Sequence, residues 1–190
     1  MSAHKIIFLN GPPRVGKDTA ALALVKQREL VRVTTMKTPI DGALRGFFGV
    51  DDQTWRAWED NKDVVSERMF NGQTLRKVKI SFSEEWAKRK FGEDVFGQLA
   101  LMRLRYPTAM RETVISDSGF LDEAIPLIEY FGVANCLLVQ LHRTGCTFDN
   151  DSRSYWEYPN LTTVAIHNEH DVEFFEQHVN RVVARWLKET

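Results

Sequence analysis

The chain has 190 residues, of which 43% are hydrophobic, and a formal net charge of −1. This length suits one domain with a sizeable core, and the near-neutral charge excludes a global attraction to nucleic acid or to acidic membranes. Two cysteines are too few for a disulfide framework, and no run of about 18 apolar residues is present, so we expect an intracellular, cytoplasmic protein with no membrane span or signal peptide.

The first predicted element is a strand over residues 5–10, an apolar run with β-branched residues that leads into a glycine-rich loop. Helix formers follow from Thr19 to Lys26. Glycines at both ends of such a loop let the backbone direct its N–H groups at phosphate oxygens, and Lys17 extends to the outer phosphates. The helix adds its positive end. Strand, loop and helix together predict a nucleoside-triphosphate site formed by Gly11, Pro12, Pro13, Arg14, Val15, Gly16, Lys17, Asp18 and Thr19.

One position of this loop departs from the usual pattern G-x-x-x-x-G-K-[ST]. Asp18 stands where Ser or Thr is usual, and Thr19 follows it. The hydroxyl at this position normally binds Mg²⁺, and a carboxylate could bind the ion directly or through water, or leave that task to Thr19. The alternative is a plain carboxylate that stabilises the start of the helix. We predict a metal-related role for Asp18 and Thr19.

The next elements are a predicted strand over residues 30–35 and a helix that starts at Thr38 and ends near Gly49. Thr38 has the side chain of a helix cap, and the proline after it suits the first helical position. The chain becomes polar after this predicted helix, from residue 51 onward.

Residues 51–110 are predicted to be mostly helical, with a break near residue 91. Trp55 and Trp58 are three residues apart, which is a helical spacing, and Trp86 also falls on a predicted helix. We favour a packing role for these tryptophans, with stacking on an acceptor base as the alternative. The region is predicted to bind the phosphate acceptor.

Basic residues are concentrated in the second half of that region and just beyond it. Such a run is usually a solvated face, and the sharper interpretation is a surface for a phosphate-rich partner. The residues are Arg76, Lys77, Lys79, Lys88, Arg89, Lys90, Arg103, Arg105 and Arg111.

A strand predicted over residues 113–117 ends in a carboxylate, Asp117, and a helix follows over 120–130. A carboxylate at the carboxyl edge of a strand beside a phosphate loop can hold Mg²⁺ or act as a base on an acceptor hydroxyl. The alternative is an Asp that caps the next helix. We predict a catalytic or metal-binding role for Asp117.

The rest of the chain alternates again, with strands over 136–141 and 161–166 and a last helix over 171–188. Strands that alternate with helices predict an α/β fold with three layers and a mostly parallel sheet. The ligand of such a fold lies at the carboxyl ends of the strands. Residues 144–160 have no periodicity and are predicted to be a loop.

Three arginines are candidates for contacts with the nucleotide. Arg14 lies inside the glycine-rich loop, and Arg143 directly follows a predicted strand, where it could stack on the base or contact phosphate. Arg153 lies in the loop 144–160, which could be a lid that closes on the donor and excludes water. The alternative for each arginine is an ordinary surface position.

Several blocks resemble the phage deoxynucleoside monophosphate kinases. Residues 9–19 are similar to their G-x-x-x-x-G-K-D-T loop, and weaker likeness extends over 39–50, 116–124 and the segments 142–145 and 151–157. The resemblance implies a single P-loop kinase domain over 1–190 that uses ATP and Mg²⁺. It also implies catalytic roles for Lys17, Asp117, Arg143 and Arg153.

Position 119 departs from that family, which tends to have an Arg two residues after the Asp, where this chain has Gly119. Loss of a bidentate phosphate contact weakens the binding of a free monophosphate. We therefore slightly prefer a related phage group, the 5-hydroxymethyluracil DNA kinases, whose acceptor is a hydroxymethyl group on a base in DNA. The alternatives are a deoxynucleoside monophosphate kinase and a non-catalytic nucleotide-binding module. In a phage protein, the setting is the host cytoplasm.

Overall fold

The computed structural model describes residues 4–106, 109–149 and 151–189. The chain divides into two compact units, the first formed by residues up to 36 together with those from 97 onward, and the second by residues 37–96. Among the described residues, no helix combines the length and the apolar character needed to cross a membrane.

The first unit is built on a parallel sheet of five strands in the order β2-β5-β1-β6-β7. Ile7 in the central strand lies opposite Val114 on one side and Leu137 on the other. This arrangement confirms the predicted α/β fold with a mostly parallel sheet. The strands of the protein are β1 (Lys5–Asn10), β2 (Val31–Thr34), β3 (Val65–Ser66), β4 (Gln73–Thr74), β5 (Glu112–Ile115), β6 (Cys136–His142) and β7 (Thr162–His167).

Helices cover both faces of this sheet. The helices of the protein are α1 (Lys17–Lys26), α2 (Thr38–Phe48), α3 (Asp52–Asp60), α4 (Glu67–Phe70), α5 (Leu75–Ile80), α6 (Lys88–Phe91), α7 (Val95–Leu104), α8 (Leu121–Phe131) and α9 (Val172–Glu189). On one face, α1 and α9 pack together over Ile7 and Leu9. Ile6 and Phe8 point the other way because side chains alternate along a strand. On that second face α8 packs against β1.

The second unit has its own small core. Ile40, Leu44, Trp55 and Leu75 are buried there, and β3 and β4 form a short antiparallel pair. The chain is helical without a break over residues 75–91, because a π-helical turn, Ser81–Ala87, joins α5 to α6. The sequence predicted the helix and its end near residue 91, but neither the strand pair nor the π turn.

Two predicted boundaries are wrong in detail. Helix α2 has Lys37 as its N-cap, so Thr38 is its first residue rather than its cap. Strand β5 ends at Ile115, so Asp117 lies in the turn after the strand rather than at its last position. The helix does end at Gly49, whose φ of 63° is the left-handed conformation that favours glycine.

Candidate functional site

The glycine-rich loop connects the end of β1 to the start of α1. Lys17 is the first residue of α1, and its Nζ donates hydrogen bonds to the carbonyl oxygens of Gly11 (2.6 Å) and Pro12 (2.7 Å). Gly16 has a φ of 108°, and an added Cβ there would lie 2.7 Å from Asn168 Nδ2. The loop therefore needs glycine at position 16, and the ammonium group of Lys17 is held over the loop's own backbone.

Close packing also restricts the start of the loop. A Cβ added at Gly11 would lie 2.7 Å from the carbonyl oxygen of Leu141 in β6. Val15 is fully buried, whereas Pro13 and Arg14 are exposed. Arg14 adopts a φ of 64°, an uncommon conformation for a residue with a side chain.

A cavity of about 310 Å³ opens beside this loop at the carboxyl edge of the sheet. The loop and the start of α1 contribute Arg14, Gly16, Lys17, Asp18 and Thr19 to its wall. Arg143, which follows β6, also lines it, together with Asn168, His170, Val172 and Phe175. The cavity thus brings together most of the predicted nucleotide-binding residues, at the edge where the ligand of a parallel sheet is expected.

Asn168 is a residue that the sequence analysis missed. It directly follows β7, and its Nδ2 donates to the carbonyl oxygen of Val15 at 2.9 Å. Its backbone N–H donates to the carbonyl oxygen of His142 at 2.8 Å. Asn168 therefore ties the ends of β6 and β7 to the glycine-rich loop. Its place two residues after the predicted strand 161–166 was the signal that could have found it.

The surroundings of Lys17 lower its pKa. Burial lowers the pKa of Lys17 to about 8, and the positive charge of Arg153 acts in the same direction. Asp18, Asp151 and Asp117 oppose this shift. The predicted site residues Asp117 and Arg153 therefore act electrostatically on Lys17.

Asp117 is held at the carboxyl edge between β2 and β5. Its Oδ1 accepts a hydrogen bond from the backbone N–H of Met36 at 2.7 Å. The N-cap of α8 is Phe120, which lies three residues after Asp117. Burial lowers the pKa of Arg103, and Asp117 opposes that shift. Asp117 thus acts on two cations, Lys17 and Arg103.

Arg153 is paired with a carboxylate two residues before it. Its Nε and Nη2 donate to the two oxygens of Asp151 at 2.7 and 2.5 Å, and only 18% of its side chain is exposed. The backbone N–H of Ser154 donates to the carbonyl oxygen of Gly119 at 3.3 Å. The loop 144–160 lacks helix and strand over its described residues, as predicted, and its segment around Arg153 lies against the chain after β5.

The predicted magnesium ligands have suitable chemistry. Asp18 and Thr19 both line the cavity, and carboxylate and hydroxyl oxygens are the donors that Mg²⁺ prefers. Within residues 4–106, 109–149 and 151–189, no group of three His, Cys, Asp or Glu side chains is placed to hold a metal by itself. Mg²⁺ usually needs only one or two carboxylates when phosphate oxygens and water complete its shell, so these residues fit the ion.

Several cations of the basic stretch 76–111 are paired within the second unit. Lys79 Nζ lies 2.6 Å from both Asp41 and Glu59, Arg76 pairs with Asp63 at 2.5 Å, and Lys88 is buried. These pairs offset the positive charge that the sequence placed in this stretch. Trp55 is also buried, as the packing interpretation predicted.

Comparisons with known proteins identify the fold. No family model matches the chain, and no curated protein matches its sequence. A provisionally assigned kinase from Chloroflexus aurantiacus has a similar structure, with a TM-score of 0.50 and 12% identity over 97% of this chain and 98% of that one. Two matches at a TM-score of 0.46 are weaker. They are a sugar kinase from Janibacter sp. HTCC2649 (10% identity, 97% and 95% covered) and a protein from Thermus thermophilus (13%, 97% and 98%). At such low identity, the Chloroflexus match shows a kinase-like fold and nothing finer.

Proposed function

We propose that this protein is an ATP-dependent phosphotransferase whose donor site is the loop 11–19. The observation that carries the proposal is the position of Lys17 at the start of α1, with Nζ bonded to two carbonyl oxygens of its own loop beside a 310 Å³ cavity. Phosphate oxygens would offer Nζ stronger, charged partners than these carbonyls. A lysine in this position stabilises the charge on the outer phosphates during transfer.

The remaining residues have distinct roles in the proposed reaction. An acceptor oxygen attacks the terminal phosphorus of ATP, the bond from that phosphorus to the bridging oxygen breaks, and ADP leaves. Asp117 accepts the proton when the acceptor is a hydroxyl. Asp18 and Thr19 would hold Mg²⁺, which neutralises phosphate charge when bound. Asp117 would be a further ligand of the ion where it does not act as the base.

A non-catalytic nucleotide-binding module is the competing class. Such a module needs the loop and its lysine, but it needs no second cation at the outer phosphates. We assign that second cation to Arg153, whose positive charge contributes to the lowered pKa of Lys17. This charge favours an enzyme that stabilises a transferred phosphoryl group.

For the acceptor, we weigh a hydroxymethylated base in DNA against a deoxynucleoside monophosphate. Gly119 supports the DNA acceptor, because no side chain at that position can bind a free monophosphate. The ion pairs of Lys79 and Arg76 argue against a DNA acceptor, because they reduce the positive charge available to a DNA backbone. Arg153, which lies across Gly119, supplies a guanidinium near the missing position and favours the monophosphate.

The direct test is to incubate the protein with labelled ATP and a panel of acceptors. The panel contains each deoxynucleoside monophosphate, plain duplex DNA and DNA with 5-hydroxymethyluracil. Lys17→Ala should abolish nearly all transfer. Lys26→Ala is the matched control, because Lys26 lies at the other end of α1 and is mostly exposed.

The outcomes separate the classes. Label that enters a mononucleotide or the modified DNA identifies the acceptor. Transfer to DNA should fall steeply with added salt, because phosphate contacts release counterions. ATP binding without transfer to any acceptor would favour the nucleotide-binding module. Wild-type rates of transfer by Lys17→Ala would overturn the assignment of the donor site to the loop 11–19.

A further inference from the structure

We propose that Arg103 binds an anionic group of the phosphate acceptor at the carboxyl end of β2, with Arg32 as a second cation on the same pair of strands. The ligand class is a small molecule that carries a phosphate monoester, such as a nucleoside monophosphate. This inference rests on the proposed function and deepens it, because it names the class of the acceptor.

Arg103 and Asp117 reach the same short stretch of backbone from two different elements. Arg103 lies in the last turn of α7, and its Nη2 donates to the carbonyl oxygen of Thr35 at 3.0 Å. Asp117, after β5, accepts from the backbone N–H of the next residue, Met36. Thr35, Arg103 and Asp117 are all partly exposed, so a ligand can reach them from solvent. A cation is therefore held near the carboxylate that is proposed to act as the base.

Arg32 is fixed further back on the same strand pair. It lies opposite Thr113 in the register of β2 and β5, and its Nε donates to Thr113 Oγ1 at 2.9 Å. The same hydroxyl lies 2.8 Å from Nε2 of His4, whose Nδ1 lies 3.1 Å from the carbonyl oxygen of Met110. Nδ1 therefore carries the proton, and the hydroxyl donates to Nε2 while it accepts from Arg32. This chain of hydrogen bonds holds the guanidinium group in place.

The charges of both arginines lack a counter-ion. In the described part of the chain their side chains bond only to Thr113 and to the carbonyl oxygen of Thr35, and neither forms a salt bridge. Nη2 of Arg32 and Nε of Arg103 are buried without a hydrogen-bond partner. Burial lowers the pKa of both groups, and the charge of Arg32 adds to the shift at Arg103.

A bound anion would offset the cost of these two charges. Partly buried cations without a counter-ion destabilise a fold. A phosphate monoester carries nearly two negative charges at neutral pH and has several acceptor oxygens. It therefore suits two guanidinium groups better than a carboxylate does.

The test measures the binding of the four deoxynucleoside 5′-monophosphates and of the matching nucleosides by calorimetry. Saturating tripolyphosphate is present throughout to occupy the loop 11–19, so that a monophosphate cannot bind Lys17 instead. At least one monophosphate should bind about tenfold or more tightly than its nucleoside, as expected for contacts between charged groups. Arg103→Ala should remove most of that difference and leave the binding of the nucleoside unchanged.

Two further variants separate binding from folding. Arg103→Gln keeps a donor for the carbonyl oxygen of Thr35 but has no charge, so it should lose the same difference even where the alanine variant does not fold. Arg105→Ala is the matched control, because Arg105 belongs to the same basic stretch but is exposed, and its guanidinium contacts Tyr106. The affinity for tripolyphosphate alone should be that of the wild-type protein in every variant that folds.

The inference is overturned if Arg103→Ala and Arg103→Gln both bind every monophosphate as the wild-type protein does. It is also overturned if no monophosphate binds the wild-type protein more tightly than its nucleoside. Label from ATP that enters only DNA with 5-hydroxymethyluracil, at a rate unaffected by Arg103→Gln, would overturn it as well.

Failure of the inference and failure of the proposed function give different results. If a monophosphate binds through Arg103 but receives no label from ATP, the proposed function falls and the anion site stands. If transfer depends on Lys17 while Arg103→Gln keeps the wild-type KM for the acceptor, only the anion site falls.

Discussion

Lys17, the proposed phosphate ligand, has a lowered pKa. Its pKa of about 8 follows from burial and from Arg153, so the empty site is only partly charged at mildly alkaline pH. An incoming phosphate anion raises that pKa again, because it stabilises the ammonium form. Binding of the anion and protonation of Lys17 are therefore linked.

This linkage predicts a pH-dependent affinity. Between the pKa of the empty site and the higher pKa of the occupied site, binding takes up a proton. The dissociation constant for tripolyphosphate should therefore rise above pH 8, by up to about tenfold per pH unit. Lys17→Arg keeps its charge throughout this range. Dividing the dissociation constant of the wild-type protein by that of Lys17→Arg therefore cancels the effect of the ligand's own titration. A ratio independent of pH between 7 and 10 would contradict the shifted pKa.

Asp117 should matter through its charge rather than through its hydrogen bond. Asp117→Asn keeps an oxygen that can accept from the N–H of Met36, so we expect the fold to persist. Turnover should fall about a hundredfold, the scale of losing a preorganised charge, and the dependence on Mg²⁺ should weaken. Asp122→Asn, at an exposed position in the first turn of α8, is the control. An unchanged Mg²⁺ titration would remove Asp117 from the metal site.

Among the elements of the first unit, β1 has two separate tasks. Its apolar residues fill both faces of the sheet, and its last residue, Asn10, bonds to the chain after β5 and to the loop 144–160. A strand that ends in the glycine-rich loop is thereby joined to two other segments near the candidate site.

Replacement of Asn10 should show how much its two hydrogen bonds stabilise the fold. Asn10→Leu has a similar volume but leaves the carbonyl oxygens of Ser118 and Ser154 without their shared donor. We expect a loss of about 2 kcal/mol or more in the free energy of unfolding, measured by urea denaturation. Asn10→Asp should be worse at neutral pH, because its charge would face two carbonyl oxygens. Wild-type stability in both variants would show that these bonds contribute nothing.

Sequence reasoning predicted elements better than contacts. The glycine-rich loop and the strands of the main sheet could be predicted because local apolar runs and glycine positions specify them. The bonds of Asn10 and Asn168 and the contact of Gly119 with Arg153 join residues far apart in the chain, and no local pattern encodes them. The pair β3–β4 was missed because strands of two residues are too short to show alternation.

At the scale of the whole molecule, the described site residues lie in the first unit, and the second unit is an insertion in the chain between β2 and β5. The second unit has its own ionic centre, in which Lys79 of α5 contacts Asp41 of α2 and Glu59 of α3. Burial opposes the charge on Lys79, but the two carboxylates outweigh it and raise its pKa.

Lys79→Met should loosen the second unit alone. The change leaves Asp41 and Glu59 without their shared cation, and we expect a local loss of about 1–2 kcal/mol because the carboxylates are partly exposed. Amide hydrogen exchange should speed up within residues 37–96 and stay unchanged in the parallel sheet. Lys90→Met, at an exposed position of the same unit, is the control.

The same ion pairs also give a pH dependence. Because the pKa of Lys79 is raised on folding, its contribution to stability is present below the ordinary lysine value and is lost as pH rises through the folded-state value.

The hydrogen-exchange experiment on Lys79→Met can also contradict the division into units. Uniformly faster exchange in both units of Lys79→Met would contradict two separately stabilised units.

The π turn at Ser81–Ala87 has a consequence for how this chain tolerates changes in length. A π turn holds one residue more than the α-helical turn it replaces, so deletion of one residue here should leave a continuous α-helix. The shortened turn would span nearly the same rotation with one residue fewer, so Lys79 would still face its carboxylates and Lys88 would stay buried. The helix over 75–91 can thus lose a residue at the π turn and keep the faces of both halves, whereas a deletion elsewhere along it would rotate one half against the other by about 100°.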